Sequence, residues 1–98
     1  MRFRKYRGMR LTYEQQGLVY FTCRNYRNMP QQTQKKVLRL CQSEGGNNPY
    51  ALFLLLTTGR SVQSLMGQFK IASESTLYEA RNRFYRAWYE EAENEQKQ

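Results

Sequence analysis

The six consecutive apolar residues from Ala51 to Leu56 (Ala-Leu-Phe-Leu-Leu-Leu) constrain this chain more than any other feature. A segment with apolar side chains in every direction has no face for water, so it belongs at the centre with the rest of the chain packed around it. Periodicity cannot separate a buried helix from a buried strand in so short a run, but the flanks can. Asn48-Pro49 is a helix start, because Asn caps free N–H groups and Pro suits the first turn, and Gly59 is a helix stop. The block reads as a helix from Tyr50 to about Thr58.

The same punctuation divides the remainder. Thr12 with Gln15 three residues on forms a capping-box pattern, opening a helix to about Arg27 with Leu18, Val19 and Phe21 as its apolar positions. Met29-Pro30 closes it, and a second helix follows from Gln31 to Ser43, with Val37, Leu38 and Cys41 on one side and Gly45-Gly46 as its stop. Ser61 caps a fourth helix, Val62 to Phe69, in which Val62, Leu65, Met66 and Phe69 fall at helical spacing. Lys70-Ile71-Ala72 makes a turn, Ser73 caps a fifth helix, and Glu74 lies in its first turn, where the macrodipole favours negative charge. This last helix is expected to reach about Tyr89 and to fray into the tail. The expected fold is all-α: a compact bundle of about five helices in one domain. Residues 1–10 form a basic arm, mobile until it meets a partner; residues 11–58 form a helical scaffold, 59–89 a helix-turn-helix and 90–98 an acidic tail.

Charge bounds the function. The chain has 98 residues and a net charge of +8, with 16 Lys and Arg against 8 acids. Arg2, Arg4, Lys5, Arg7 and Arg10 crowd one end, while Glu90, Glu91, Glu93 and Glu95 crowd the other. A field of this sign attracts polyanions, nucleic acid first. Histidine and aspartate are absent, which removes the usual general base, the usual zinc ligand and the triads built on them. Cys23 and Cys41 lie too far apart in sequence for a metal knuckle and read as buried thiols. No cofactor and no enzymatic activity are expected. No apolar run approaches the roughly 18 residues of a membrane span, and no apolar block follows the basic N-terminus as in a signal peptide. The expected location is the cytoplasm.

The segment from Tyr50 to Tyr89 carries the functional pattern. A short helix, a brief turn and a longer helix make a helix-turn-helix, in which the first helix braces across the DNA backbone and the second enters the major groove. Leu77, Ala80, Phe84, Ala87 and Trp88 form one apolar stripe on the last helix, and Ser75, Tyr78, Glu79, Asn82 and Arg86 fall opposite. Asn suits adenine, Arg suits guanine or phosphate, and hydroxyls serve either. Arg81 and Arg83 flank this face, and Arg60, Lys70 and Ser73 lie at the turns where a backbone phosphate would pass. The basic residues of the arm, Arg2, Arg4, Lys5, Arg7 and Arg10, are further candidate contacts, in a minor groove or along phosphates. Tyr13, Tyr20, Arg24 and Arg27 of the first helix form a second candidate surface. Tyr85 and Tyr89 lie off the apolar stripe and are candidates for a self-association seam.

The stretch from Leu55 to Trp88 (LLTTGRSVQSLMGQFKIASESTLYEARNRFYRAW) resembles region 4 of bacterial sigma factors. It resembles still more the phage and mobile-element late-operon activators of the RinA and ArpU type. The matching positions are Gly59, Ser61, Leu65, Met66, Phe69, Ile71, Ser73, Thr76, Leu77, Tyr78, Phe84 and Tyr85. Lys70 departs from the glycine common at its position, Met66 from a small alanine, and the turn is one residue longer than the tightest form. The resemblance implies a sequence-specific transcriptional regulator that binds double-stranded DNA, with RNA polymerase as a further partner and a homodimer as one arrangement. The competing expectation is a small phage-encoded module that binds and alters a host enzyme or polymerase. A single-strand binder that stacks bases on its Tyr and Phe side chains is a third.

Overall fold

The computed structural model describes residues 3–6 and 8–96, the last five of these by their backbone alone. Helix α1 spans Tyr13–Arg24, α2 Gln31–Glu44, α3 Pro49–Thr58, α4 Val62–Phe69 and α5 Glu74–Gln96, with one turn of 3-10 helix, Tyr26–Asn28, between α1 and α2. No strand occurs among the described residues. The fold is the all-α bundle that the apolar block and its caps imply.

The start signals work as local chemistry predicts. Thr12 Oγ1 accepts from the Gln15 N–H at 3.1 Å, while Gln15 Oε1 accepts from the Thr12 N–H at 2.9 Å, a complete capping box. Ser61 Oγ accepts from the Ser64 N–H at the start of α4. Pro49 occupies the first turn of α3, although Asn48 makes no side-chain capping bond. α1 ends three residues earlier than expected, at Arg24, because Asn25 folds its side-chain amide back onto the Phe21 carbonyl at 2.7 Å and the chain tightens into the 3-10 turn. At the end of α2, Gly45 keeps a right-handed conformation. It is required for space: a Cβ there would lie 2.5 Å from the Cys41 carbonyl oxygen and 2.7 Å from Pro49 Cα.

Two apolar clusters share α3. Val19 and Cys23 of α1, Val37, Leu40 and Cys41 of α2, and Ala80, Phe84, Tyr85 and Trp88 of α5 close around Leu52 and Leu56. Val62 and Leu65 of α4, Ile71 of the turn and Leu77 of α5 close around Ala51. α3 touches α1, α2, α4 and α5, and Leu55 packs against both clusters, so its nearly uniform apolar character reflects two cores that meet along it.

Four expectations are corrected. The N-terminal segment is docked: Phe3 and Met9 are buried, and the Phe3 ring packs against Tyr6, Tyr13 and Tyr20. Its anchor is Gln16, fully buried on α1, whose Oε1 accepts from the Tyr6 N–H at 2.7 Å and whose Nε2 donates to the Leu11 carbonyl at 3.0 Å. Leu18, Phe21 and Leu38, expected inside, stand in solvent, since the docked segment and Gln16 take the inward side of α1 and Leu40 takes that of α2. Tyr85 is no seam residue; it is fully buried beside Phe84 and Tyr6, and Tyr89 donates its hydroxyl to the Gln15 carbonyl at 2.6 Å. Finally, α5 runs through the acidic segment to Gln96, and Glu91 pairs with Arg39 of α2 instead of lying in a frayed tail.

Candidate nucleic-acid interface

The candidate interface is built on the smaller core. Val62 and Leu65 place the inner face of α4 on α3, and Ile71 and Leu77 tie the turn and the first turns of α5 to the same cluster. Four residues, Lys70 to Ser73, join the helices. Lys70 takes a left-handed conformation, φ 56°, and its N–H reaches the Met66 carbonyl. It is the one non-glycine residue with positive φ among the described residues. Such a conformation costs a residue with a Cβ about 1–2 kcal/mol, so a lysine here gives the turn a cation at some expense of stability. Ser73 Oγ accepts from the Ser75 N–H and shares a hydrogen bond with Ser75 Oγ at 2.8 Å, which orders the first turn of α5.

The sequence-derived residues divide into three groups. Ser73, Ser75, Glu79 and Arg86 are exposed, Tyr78 and Asn82 half-buried, and Lys70 exposed at the turn. Glu79, Asn82, Arg83 and Arg86 line a shallow depression of about 270 Å³ along α5. Within it Arg83 is engaged at home: it donates from Nη2 to the Glu44 carbonyl at 2.9 Å, at the negative end of α2. Arg81 forms another part of the surface. Its guanidinium lies 3.6 Å from the Tyr6 ring centroid and 5.0 Å from that of Tyr78, and it donates to Asn82 Oδ1. Burial pushes its pKa down from the ordinary arginine value, with Tyr6, Tyr85 and Tyr78 opposing the shift; arginine remains cationic across the physiological range. Of the arm, Arg4, Lys5 and Arg10 are exposed, while Arg2 and Arg7 lie outside the described residues.

A recess of about 220 Å³ at the N-terminus of α4 gathers residues that sequence reading assigned to separate surfaces. Arg24 from α1, Arg60 before α4 and Arg81 from α5 line it together with Tyr6, Tyr20 and Ser61, and among the described residues no carboxylate contributes to its wall. Arg24 lies against the Tyr20 ring, 4.8 Å from its centroid, and across Gly59. Gly59 has φ 75°, and a Cβ on it would collide with the Arg24 guanidinium. In sequence Gly59 is a helix stop; its left-handed backbone is what favours glycine, and the structure adds the Arg24 guanidinium of another helix lying close over it. Gln16, which holds the Tyr6 wall in place, carries no signal beyond a polar residue in a helical pattern.

Comparison of the chain with protein-family models, with curated proteins and with solved structures finds no match. The two cysteines are buried and free. Burial pushes the Cys41 thiol up to about 12, and burial, reinforced by neighbouring Cys41, raises Cys23 as well. Such thiols are poor nucleophiles. Among the described residues no group of three or more metal-ligating side chains converges, and no helix is long and apolar enough to cross a membrane. What the surface offers is hydrogen-bond donors, cations and stacked tyrosines.

Proposed function

We propose that this chain binds double-stranded DNA through α4 and α5 as a transcriptional regulator of the helix-turn-helix type. The observation that carries the reading is the three-helix core in which Val62, Leu65, Ile71 and Leu77 lock α4 and α5 on α3. That packing leaves the polar face of the first turns of α5 outward. In this reading α4 braces against the sugar–phosphate backbone while α5 lies in the major groove. Ser75, Tyr78, Asn82 and Arg86 meet base edges, and Glu79 is placed to accept from a cytosine amino group. Lys70, Ser73 and Arg60 meet phosphates, and Arg4, Lys5 and Arg10 extend the positive track along the docked N-terminal segment. Arg81 and Arg83 act mainly by shaping the surface, through Tyr6 and the end of α2.

The test is a fluorescence-anisotropy titration across a salt series, using duplexes from the neighbouring genomic sequence and a scrambled control. The expected result is one site that survives physiological salt and that Asn82→Ala and Arg86→Ala each weaken by about 1–3 kcal/mol. Equal and salt-fragile binding to every duplex would refute a sequence-reading role.

A second reading, a protein-interaction module with a polymerase, a host enzyme or a second copy as partner, is favoured by one observation. Leu18 and Phe21, 57% and 44% exposed, lie three residues apart on the outer side of α1. Tight capture of an acidic protein partner with no duplex preference would select it.

A further inference from the structure

We propose that the recess walled by Arg24, Arg60 and Arg81 at the start of α4 is a specific receptor for a single phosphate group. The inference rests on the DNA-binding reading only for the source of that phosphate, which is one backbone phosphate of the bound duplex.

Three independent parts of the fold bring the three arginines to the wall of the recess. Arg24 is delivered by the last turn of α1, Arg60 by the junction between α3 and α4, and Arg81 by the middle of α5. Two of them are held by aromatic faces: Arg24 by Tyr20 and Arg81 by Tyr6 and Tyr78. Arg60 is tied at one end to Ser64 Oγ at 2.9 Å. Guanidinium groups fixed in this way lose little freedom on binding, and each carries up to five N–H donors in a planar fork that matches phosphate oxygens. Among the described residues no carboxylate lines the recess, so its wall is cationic and aromatic in character. The first turn of α4 adds backbone N–H groups that have no acceptor within the helix. Its length of eight residues gives that end a real dipole. A volume of about 220 Å³ admits a phosphate group with water but is too small to enclose a nucleotide. The recess is also incomplete without the N-terminal segment, since Tyr6 is both its wall and the platform under Arg81.

The experiment follows arginine side-chain and backbone N–H signals by NMR during titration of the full chain with inorganic phosphate. Arg60→Gln is the test variant, because Arg60 makes no aromatic contact on which packing depends, and Lys35→Gln on the exposed side of α2 is the matched control for lost charge. The expected result is a saturable shift confined to Arg24, Arg60, Arg81 and the first turn of α4, abolished in Arg60→Gln and retained in Lys35→Gln. Diffuse, non-saturating shifts at every basic residue, or equal loss in both variants, would overturn the proposal. A duplex titration in parallel separates the two sources. If DNA is the source, Arg60→Gln weakens all duplexes alike and lowers the salt slope by about 1. Duplex binding with an unchanged slope would overturn the recess while leaving DNA binding intact. Saturable phosphate binding without duplex affinity would keep the recess, assign it to a free phosphorylated ligand and remove the DNA reading.

Discussion

Gln16 meets no water, yet its amide satisfies the backbone of a segment ten residues earlier in the chain. Its Oε1 and Nε2 bind the Tyr6 N–H and the Leu11 carbonyl, so the side chain substitutes for the strand or helix partner that an irregular segment lacks. Replacing it with alanine leaves those half-buried groups without partners. Gln16→Ala is therefore expected to cost about 1–3 kcal/mol, read as a lower urea midpoint at unchanged slope. It should also release Phe3 and Tyr6, measurable as faster amide exchange at Tyr6. None of this is legible in the sequence. A glutamine two residues from a leucine and next to a glycine carries no mark of burial, and the arm that needs it looks like a string of exposed cations. The caps are a different matter. Thr12 with Gln15, Pro49, Gly59 and Ser61 act within one turn of chain, so spacing alone reveals them. Gln16, Phe3 and Tyr85 owe their places to residues far away, and no local pattern encodes that.

At the scale of the element, the turn between α4 and α5 shows the same division. Its position was readable from the apolar spacing of Val62, Leu65, Ile71 and Leu77, which all enter one cluster. The departure at Lys70 was readable as well, and the left-handed backbone gives its physical meaning. Glycine would adopt that conformation without the steric penalty, at a smaller cost in unfolded-chain entropy, so Lys70→Gly should stabilise the fold by about 0.5–1 kcal/mol. In a domain of this size that corresponds to a melting temperature higher by about 2–8 °C. If the lysine meets a phosphate, the same substitution weakens duplex binding at low salt. Stability and affinity would then move in opposite directions, a pairing that simple damage to the turn cannot produce. The recess above α4 was less accessible to sequence reading. Tyr20 and Arg24 stood out on α1, and Arg60 and Arg81 near the turn, but only the packing of α1 across Gly59 makes them one site.

For the whole molecule, the buried acids of the larger core set its response to alkali. Cys41 is raised to about 12, and Cys23 and Tyr85 are raised too, all chiefly by burial. Each is neutral when protonated, so the folded chain holds protons that the unfolded chain releases once pH passes the ordinary thiol value of about 8.5. Fewer protons on the unfolded state means that stability falls as pH rises, with each thiol contributing up to about 1.4 kcal/mol per pH unit. Tyr85 adds to the slope only above its ordinary value of about 10. Thermal melts between pH 7 and 10 should show a decline that begins above pH 8. Replacing both cysteines with alanine should shallow that decline even though it lowers stability at neutral pH. A flat profile would show that the thiols reach water in the native state.

The two clusters that share α3 also bear on how the molecule comes apart. Leu52 and Leu56 belong to one and Ala51 to the other, and Leu55 of the same ten-residue helix packs against both. A fluctuation that frees α4 must uncover Ala51, and one that frees α2 must uncover Leu52, so both events draw on the same short rod. The bundle is therefore expected to melt in one cooperative transition. A ligand held at the start of α4 is then expected to raise the melting temperature of the entire bundle, α2 included.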